Sequence, residues 1–332
     1  MGLIPEQYVL VREAAWWGGV ALAEAPSIED AMVMAGHNWD IVERSVARSA
    51  THEDGSRYWK VVEGSRCHVR SDNDFELAIH SSTFEAIPNR VPYELATILV
   101  EDSRFKAEVE TAGSMEGGRQ NFLTLKLDEP FEISGDDSVT LPYIAFSWCH
   151  DGTGALRSRS TSVRQVCQNT VSASEAEGKK LGTDFTFRHT KNVGEKIEDA
   201  KKAYANAREG FDAYKAVMED LAKIEVTPEQ RDLFVSTIIG DRGGIVSKSA
   251  ATTDRVKNNI EAERAKIGAL FFGQTIPETH KLTGYGLHLA GVEYFDHLRR
   301  YNSKDSYVKR TLLTDNPAKA SLVRTIRELV AA

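Results

Sequence analysis

The 332-residue sequence has few cysteines and no excess of positive charge. Its three cysteines are odd in number and lie among apolar residues, which favours reduced, buried thiols and a reducing compartment. The formal net charge is −8, so the chain as a whole presents no basic field to nucleic acid. Any anion site therefore has to come from local clustering of cations.

Long apolar runs and leader-like segments are also missing. The longest apolar runs, residues 141–149 and 267–272, are far shorter than the ~20 residues of a membrane-spanning helix. The first residues lack the charged-then-apolar order of a signal peptide. We therefore expect a cytosolic protein without a membrane partner.

The sequence contains no motif for nucleotide or zinc binding. Neither GxxxxGK[ST] nor GxGxxG is present, and GDRGG at residues 240–244 lacks the lysine and hydroxyl residue of a phosphate loop. Cysteine and histidine are neighbours at 67–68 and 149–150, but neighbouring residues of a strand point to opposite faces, and no zinc-type spacing exists. We expect no metal and no cofactor.

The densest mixture of apolar and polar side chains lies in residues 141–174. Residues 142–149 form an apolar run of strand length, which predicts a core strand. Asp151 and Gly152 follow it and predict a tight reversal, so residues 155–162 should return beside the first strand as a hairpin partner.

Cations and amides follow this reversal. Arg157 and Arg159 are two positions apart and therefore lie on one face of the returning strand. From residue 163 the apolar spacing becomes helical, which predicts a helix whose N-terminal N–H groups favour anions. The polar residues placed near that N-terminus are Arg164, Gln168 and Asn169.

The first part of the chain predicts an antiparallel sheet with crossing helices. A serine-capped helix is expected from residue 27 to Gly36, and short strands at the ranges 58–63, 68–71 and 76–82. A helix over 91–100 follows, then alternating segments on either side of a glycine turn, at 105–110 and 121–127.

The second part of the chain predicts helices. From Glu195 onward apolar residues fall three or four positions apart, which predicts one long helix with an aromatic seam. Further helices are expected over 227–239, 252–272, 288–301 and 317–330. The predicted fold class is therefore α+β, with a sheet domain over residues 1–190 and a helical C-terminal region over residues 191–332.

Arginine and aromatic residues interleave in the sheet part of the sequence. Cations that hold phosphates beside rings that stack on bases are typical of a groove for single-stranded nucleic acid. An equally good interpretation pairs these arginines with acidic residues of the same sheet. The candidate contact residues are Arg119, Arg157, Arg159, Arg164, Arg188, Trp148, Gln168 and Asn169.

Two other classes of protein stay open. Asp136, Asp137 and Asp151 flank the central strand near His150, and converging carboxylates could hold a divalent ion in a nucleic-acid hydrolase, although turn aspartates are commoner than ligands. A structural or host-interaction protein without a catalytic site is the third hypothesis. No residue of the sequence is assigned a catalytic role.

Several motifs resemble those of one family. The most specific is VRQVCQNT at residues 163–170, which includes Cys167. Residues 147–152 hold a Ser-x-x-His-Asp-Gly-like segment with His150, Asp151 and Gly152, and RHT follows at 188–190. The chain is similar in these stretches to the phage and plasmid proteins grouped as domain of unknown function 932. That resemblance implies ancestry without an established activity, and only its phage and plasmid setting suggests nucleic-acid metabolism.

A meander followed by a helix also resembles the core of phage single-strand annealing proteins, which work as oligomers without a nucleotide. We therefore expect a DNA-metabolism accessory protein that binds single-stranded DNA, anneals strands as a homo-oligomer and takes part in recombination.

Overall fold

The computed structural model describes residues 8–11, 20–102, 106–164, 169–171, 185–186, 193–240, 250–300, 302–303, 306 and 316–331. The chain divides into two compact units. Unit 1 comprises Met1–Lys126, Ile144–Ser158 and Phe185–Tyr204, and unit 2 comprises Leu127–Tyr143, Arg159–Asp184 and Ala205–Ala332. The units take alternating segments of the chain, whereas the sequence predicted a single boundary after residue 190.

The described strands are β1 Tyr8–Val11, β2 Val20–Leu22, β3 Ile41–Thr51, β4 Arg57–Arg70, β5 Glu76–Ser81, β6 Ala107–Met115, β7 Gln120–Leu127, β8 Phe131–Ile133, β9 Asp136–Cys149, β10 Arg157–Arg164, β11 Asn169–Val171 and β12 Phe185–Thr186. The described helices are α1 Ile28–Met34, α2 Arg90–Glu101, α3 Val193–Ala222, α4 Pro228–Ile239, α5 Ala250–Leu270, α6 Gly284–Glu293, α7 Pro317–Ala320 and α8 Leu322–Ala331. The fold class is α+β, as predicted. No helix in these ranges combines the length and the apolar character that crossing a membrane requires.

Unit 1 is a sheet with two helices packed on it. Its strand order is β9-β7-β6-β1-β2, in which β1 pairs antiparallel with β6 and parallel with β2. The side chain of Ser27 caps α1 by accepting from the Asp30 N–H at 3.0 Å, as the sequence indicates. The apolar faces of α1 and α2 contact β6 and each other. Along β9, the alternate residues Ile144, Phe146 and Trp148 are fully buried.

A second sheet of unit 1, β3-β4-β5, carries a long hairpin. The pairing of β5 with β4 stops at Ser65 and Ser81, whereas β3 and β4 stay paired beyond a register shift, from Ala47 opposite Val61 to the turn. Every residue from 51 to 61 is exposed. We call residues 46–62 the ribbon, because they form a two-stranded projection beyond the edge of β5.

The sequence predicted short strands here, separated at Gly64. Instead β4 runs through Gly64, which adopts a left-handed conformation with φ 74°. A glycine at such a φ lets the strand bulge without ending, because no Cβ clashes with the backbone. A glycine that was expected to end a strand therefore lies inside one.

Unit 2 is mainly helical. The C-terminal part of α3 packs with α4, α5, α6 and α8 around a core that includes Leu221, Phe234 and Ile326. Thr227 and Gln230 form a reciprocal capping box at the start of α4, as predicted. The helix expected over 288–301 begins earlier, after the capping residue Thr283, and its last turn widens into a π-helix over Tyr294–Leu298.

The helix predicted from residue 163 is wrong. β10 continues to Arg164 and pairs antiparallel with β11, with Val163 opposite Thr170 and Arg164 opposite Asn169. A short apolar spacing fits both helix and strand, and the β-branched residues found here pack well in a sheet once a partner strand is present. Residues 165–168 lie outside the described residues.

Candidate functional site

Trp148 is buried, and this corrects its predicted role in base stacking. Its side chain is 0% exposed, and its indole N–H donates to Asn89 Oδ1 at 2.9 Å. The ring also lies edge-on to His37 and Tyr93. A base that approaches from solvent cannot reach this ring, so Trp148 belongs to the core of unit 1.

Arg119 is also held within the fold. Its Nε donates to the Leu77 carbonyl at 2.7 Å and its Nη2 to the Glu76 carbonyl at 2.9 Å. Its guanidinium lies 5.2 Å from the centre of the Phe75 ring. Because two of its donor groups serve backbone carbonyls of β5, Arg119 fixes the start of that strand and is not a free phosphate-binding cation.

Two other cations of the predicted groove, Arg157 and Arg159, differ in exposure. Arg157 is exposed, whereas Arg159 is half-buried and already engaged with a neighbour. Of the predicted group, Arg157 is thus the cation that the described structure leaves at the surface. Gln168, Cys167 and Arg188 lie outside the described residues, as do the side chains of Arg164 and Asn169.

The His-Asp-Gly segment forms the turn after β9. Asp151 Oδ1 accepts from the backbone N–H of Thr153 at 2.9 Å and from its hydroxyl at 2.6 Å, and Oδ2 accepts from Gln120 Nε2 at 3.0 Å. Gly152 has φ 76°, and a Cβ there would lie 2.9 Å from the His80 ring. Both Asp151 and Gly152 are therefore explained by the turn itself.

His150 is a buried, neutral histidine. Its Nε2 lies 2.8 Å from Asn89 Oδ1, and the Asn89 amide is oriented by its own donation to the Trp39 carbonyl at 3.3 Å. Since Oδ1 only accepts, Nε2 carries the proton and Nδ1 holds a lone pair, for which the described residues provide no hydrogen-bond partner. Burial lowers the pKa of His150 to about 3.

A directed chain of hydrogen bonds crosses the core beside it. The Tyr93 hydroxyl lies 2.8 Å from His37 Nδ1, and His37 Nε2 lies 2.7 Å from Ser114 Oγ. The Ser114 hydroxyl donates to Asn121 Oδ1 at 2.8 Å, and Asn121 Nδ2 donates to the Gly118 carbonyl at 2.9 Å. The last bond fixes the Asn121 amide, so every proton in the chain points from Tyr93 towards Gly118.

The direction of these hydrogen bonds determines what chemistry the hydrogen-bond chain can support. Because the Ser114 hydrogen goes to Asn121, Ser114 accepts from His37 instead of giving up its proton to it. A serine nucleophile needs the opposite arrangement, with the histidine accepting. Burial lowers the pKa of His37 to about 3, so His37 is also neutral. The chain of hydrogen bonds therefore has a structural role.

The chain of hydrogen bonds that begins at Tyr93 ends at a strained turn between β6 and β7. Glu116, Gly117 and Gly118 all have positive φ, at 52°, 74° and 100°. A Cβ on Gly118 would lie 2.8 Å from the Trp39 ring. Arg70 supports the turn by donating to the Gly117 carbonyl at 3.0 Å while its guanidinium lies 4.6 Å from the centre of the Trp39 ring. The buried polar residues of unit 1 thus hold this turn in place.

Sequence reasoning missed most of this network. Two of its members, Ser114 and Asn121, flank the glycine turn between the two alternating segments, and that placement was the available signal. His37 and Asn89 gave none, because they lie outside periodic segments, at the ends of α1 and α2.

The hydrolase hypothesis gains no support from the described residues. None of the described His, Cys, Asp and Glu side chains form a group of three or more that could hold a metal ion. Asp136 accepts from the Tyr285 hydroxyl at 2.9 Å and from the Ser138 N–H at 2.9 Å. Its carboxylate is thereby committed to hydrogen bonds within unit 2.

The ribbon brings exposed cations and exposed rings together. Trp59 is 77% exposed, and Tyr58 beside it is 38% exposed. Arg48, Arg57 and Lys60 are exposed as well, and within the described part of the chain none of the three forms a salt bridge. This combination was not recognised from the sequence, which placed the cation and aromatic groups after residue 118.

The described residues thus define an α+β protein whose buried histidines are structural and whose ribbon carries exposed rings and cations. The chain belongs to the family described as Domain of unknown function (DUF932), whose model matches residues 76–316. This confirms the resemblance seen in the sequence. Comparisons with curated proteins and with solved structures found no match. The ribbon precedes the matched residues.

Proposed function

We propose that this protein binds single-stranded nucleic acid without a nucleotide cofactor, and that the ribbon is its main contact surface. One observation carries the proposal: the ribbon holds three cations without a salt bridge among the described residues, together with an indole that is 77% exposed. A large exposed aromatic ring beside cations matches what a single strand requires, because the ring stacks on bases and the cations hold phosphates.

The charge of the chain strengthens this choice. With a net charge of −8, most of the surface repels a polyanion, so a favourable contact has to come from a local cationic group. The ribbon provides one in Arg48, Arg57 and Lys60. Its five consecutive paired positions, from Ala47–Val61 to Thr51–Arg57, extend over roughly 15 Å at the usual rise per residue. The ribbon therefore carries three cations beyond the edge of β5, against two acidic residues, Glu53 and Asp54, at its turn.

The biological setting is part of the same proposal. A protein that binds single strands without a nucleotide fits an accessory role in phage or plasmid DNA metabolism, including strand annealing as a homo-oligomer. The mass of the protein in solution, measured with and without DNA, tests assembly. An oligomer whose mass is the same with and without DNA would favour a structural or host-interaction role instead.

The test is a titration of a fluorescently labelled oligodeoxythymidine, followed by anisotropy over a range of salt concentrations. The Arg48→Ala/Arg57→Ala/Lys60→Ala variant should bind at least about tenfold more weakly at low salt, and the slope of log K against log salt should fall by about 2. The folded core is untouched, because all three side chains are exposed.

Two further variants locate the surface. A charge-matched control, Arg255→Ala/Lys257→Ala/Arg300→Ala, removes three exposed cations elsewhere and should change binding little. Arg157→Ala tests the strand face that the sequence favoured. Absence of binding by the wild-type protein would refute the proposal, and equal losses in the ribbon and control variants would reduce it to a general charge effect.

A further inference from the structure

The two faces of the ribbon carry different chemistry. Directly opposite residues of an antiparallel pair share a face, and successive pairs alternate between faces. Arg48 lies opposite Lys60, and Ala50 opposite Tyr58, so both cations and the tyrosine share one face, which we call the cation face. Ser49 opposite Trp59 belongs to the other, the indole face.

The rings of the two faces differ in how accessible they are. On the cation face, His52 lies over Tyr58 with 4.2 Å between ring centroids, which covers one side of the tyrosine ring. On the indole face, no hydrogen bond or ring contact with another described residue involves the Trp59 side chain. Trp59 is twice as exposed as Tyr58, at 77% against 38%. The indole is therefore the ring that is open to a base.

A cation accompanies the indole on its own face. Arg57 lies opposite Thr51, two positions from Trp59 along β4, so the Arg57 and Trp59 side chains start roughly 7 Å apart. A guanidinium at this separation can reach the phosphate of a nucleotide whose base stacks on the ring. Arg48 and Lys60, by contrast, offer two adjacent charges without an open ring.

We infer that Trp59 makes the ribbon select unpaired bases, whereas the cation face binds phosphates of single strands and duplexes alike. The inference rests on the proposed function. A base in a duplex is already stacked on its neighbours, so an indole gains a base contact only where a base is free. Phosphate contacts carry no such requirement, because both forms present phosphates.

The experiment compares a labelled oligodeoxythymidine with a labelled duplex of the same length, by anisotropy at one salt concentration. Trp59→Ala should weaken single-strand binding by roughly 5- to 100-fold and change duplex binding by less than about twofold. Trp59→Phe keeps a ring and should restore part of the loss. Val61→Ala is the matched control, because Val61 lies on the indole face and is 56% exposed but has no ring.

The variant Arg48→Ala/Lys60→Ala separates this inference from the proposed function. It should weaken single-strand and duplex binding by similar factors. If it does so while Trp59→Ala leaves the single-strand preference intact, the inference is overturned and the proposed function stands. If Trp59→Ala lost affinity equally for the single strand and the duplex, the inference would also be overturned, since the indole would then act as a wedge inserted into the duplex. No binding by the wild-type protein would remove both.

Discussion

Acid should destabilise the folded protein through buried histidines in both units. Burial lowers the pKa of His37, His150 and His288 from 6.5 to about 3. In the unfolded chain each of these rings takes up a proton as the pH falls below about 6.5. The folded state stays neutral at these positions until about pH 3, so only the unfolded state gains from the added protons.

The size of the effect follows from the difference in pKa. The stability contributed by each neutral histidine is complete above pH 6.5 and is lost progressively as the pH falls towards 3. Between pH 7 and pH 5 the free energy of unfolding should drop by about 2 kcal/mol for each histidine, since one pKa unit corresponds to about 1.4 kcal/mol. Three such histidines together approach the whole stability of an ordinary domain, about 5–15 kcal/mol.

Urea denaturation at pH 7 and pH 5 tests this with His288→Gln, in which a side chain of similar size no longer titrates. Other groups contribute to the pH dependence of both proteins alike, so the variant should lose about 2 kcal/mol less than the wild type over this interval. Between pH 7 and pH 8 both proteins should change in parallel, which is the internal control. An identical loss in both proteins from pH 7 to pH 5 would refute the reasoning.

Two further predictions concern unit 2. Lys319 Nζ and Asp296 Oδ1 lie 2.9 Å apart with both side chains almost fully buried, so Lys319→Met should cost about 3–5 kcal/mol by leaving a buried charge, whereas Lys319→Met/Asp296→Leu should recover much of it in urea denaturation. If the double variant is as unstable as the single one, the charge is not the cause. A Cβ on Gly286 would overlap the His280 carbonyl, so Gly286→Ala should lower Tm, whereas Gly268→Ala, also in a helix but with open space around it, should add about 0.5–1 kcal/mol. Equal effects of the two alanines would contradict this packing argument.

Elements set by local sequence were predictable. Ser27 and Thr227 cap helices because their hydroxyls accept from N–H groups three residues ahead, and that signal lies within four positions of sequence. The long helix α3, Val193–Ala222, follows from a three-or-four spacing that no strand shares. Such features need no knowledge of distant partners.

Elements set by distant partners were not predictable. The strand β10 ends in a segment whose spacing also fits a helix, and its pairing with β11, Asn169–Val171, decides between them. A distant partner also decides the structure at Gly64, because the pairing of β4 with β3 continues on both sides of this glycine. Each case depends on a hydrogen-bonding partner that the local pattern does not contain.

Two tryptophans show why the exposed ring and cations of the ribbon were not recognised from the sequence and what would have located them. Trp148 alternates with Ile144 and Phe146, so its side of β9 is a continuous apolar row, and a row of this kind is buried. Trp59 alternates with Arg57 and Val61, and the other face of the same strand carries Lys60, so neither face of the ribbon is apolar enough to be covered. A ring flanked by cations on both faces of a strand is therefore expected at the surface, whereas a ring in a continuous apolar row is expected in the core. That difference separates Trp59 from Trp148.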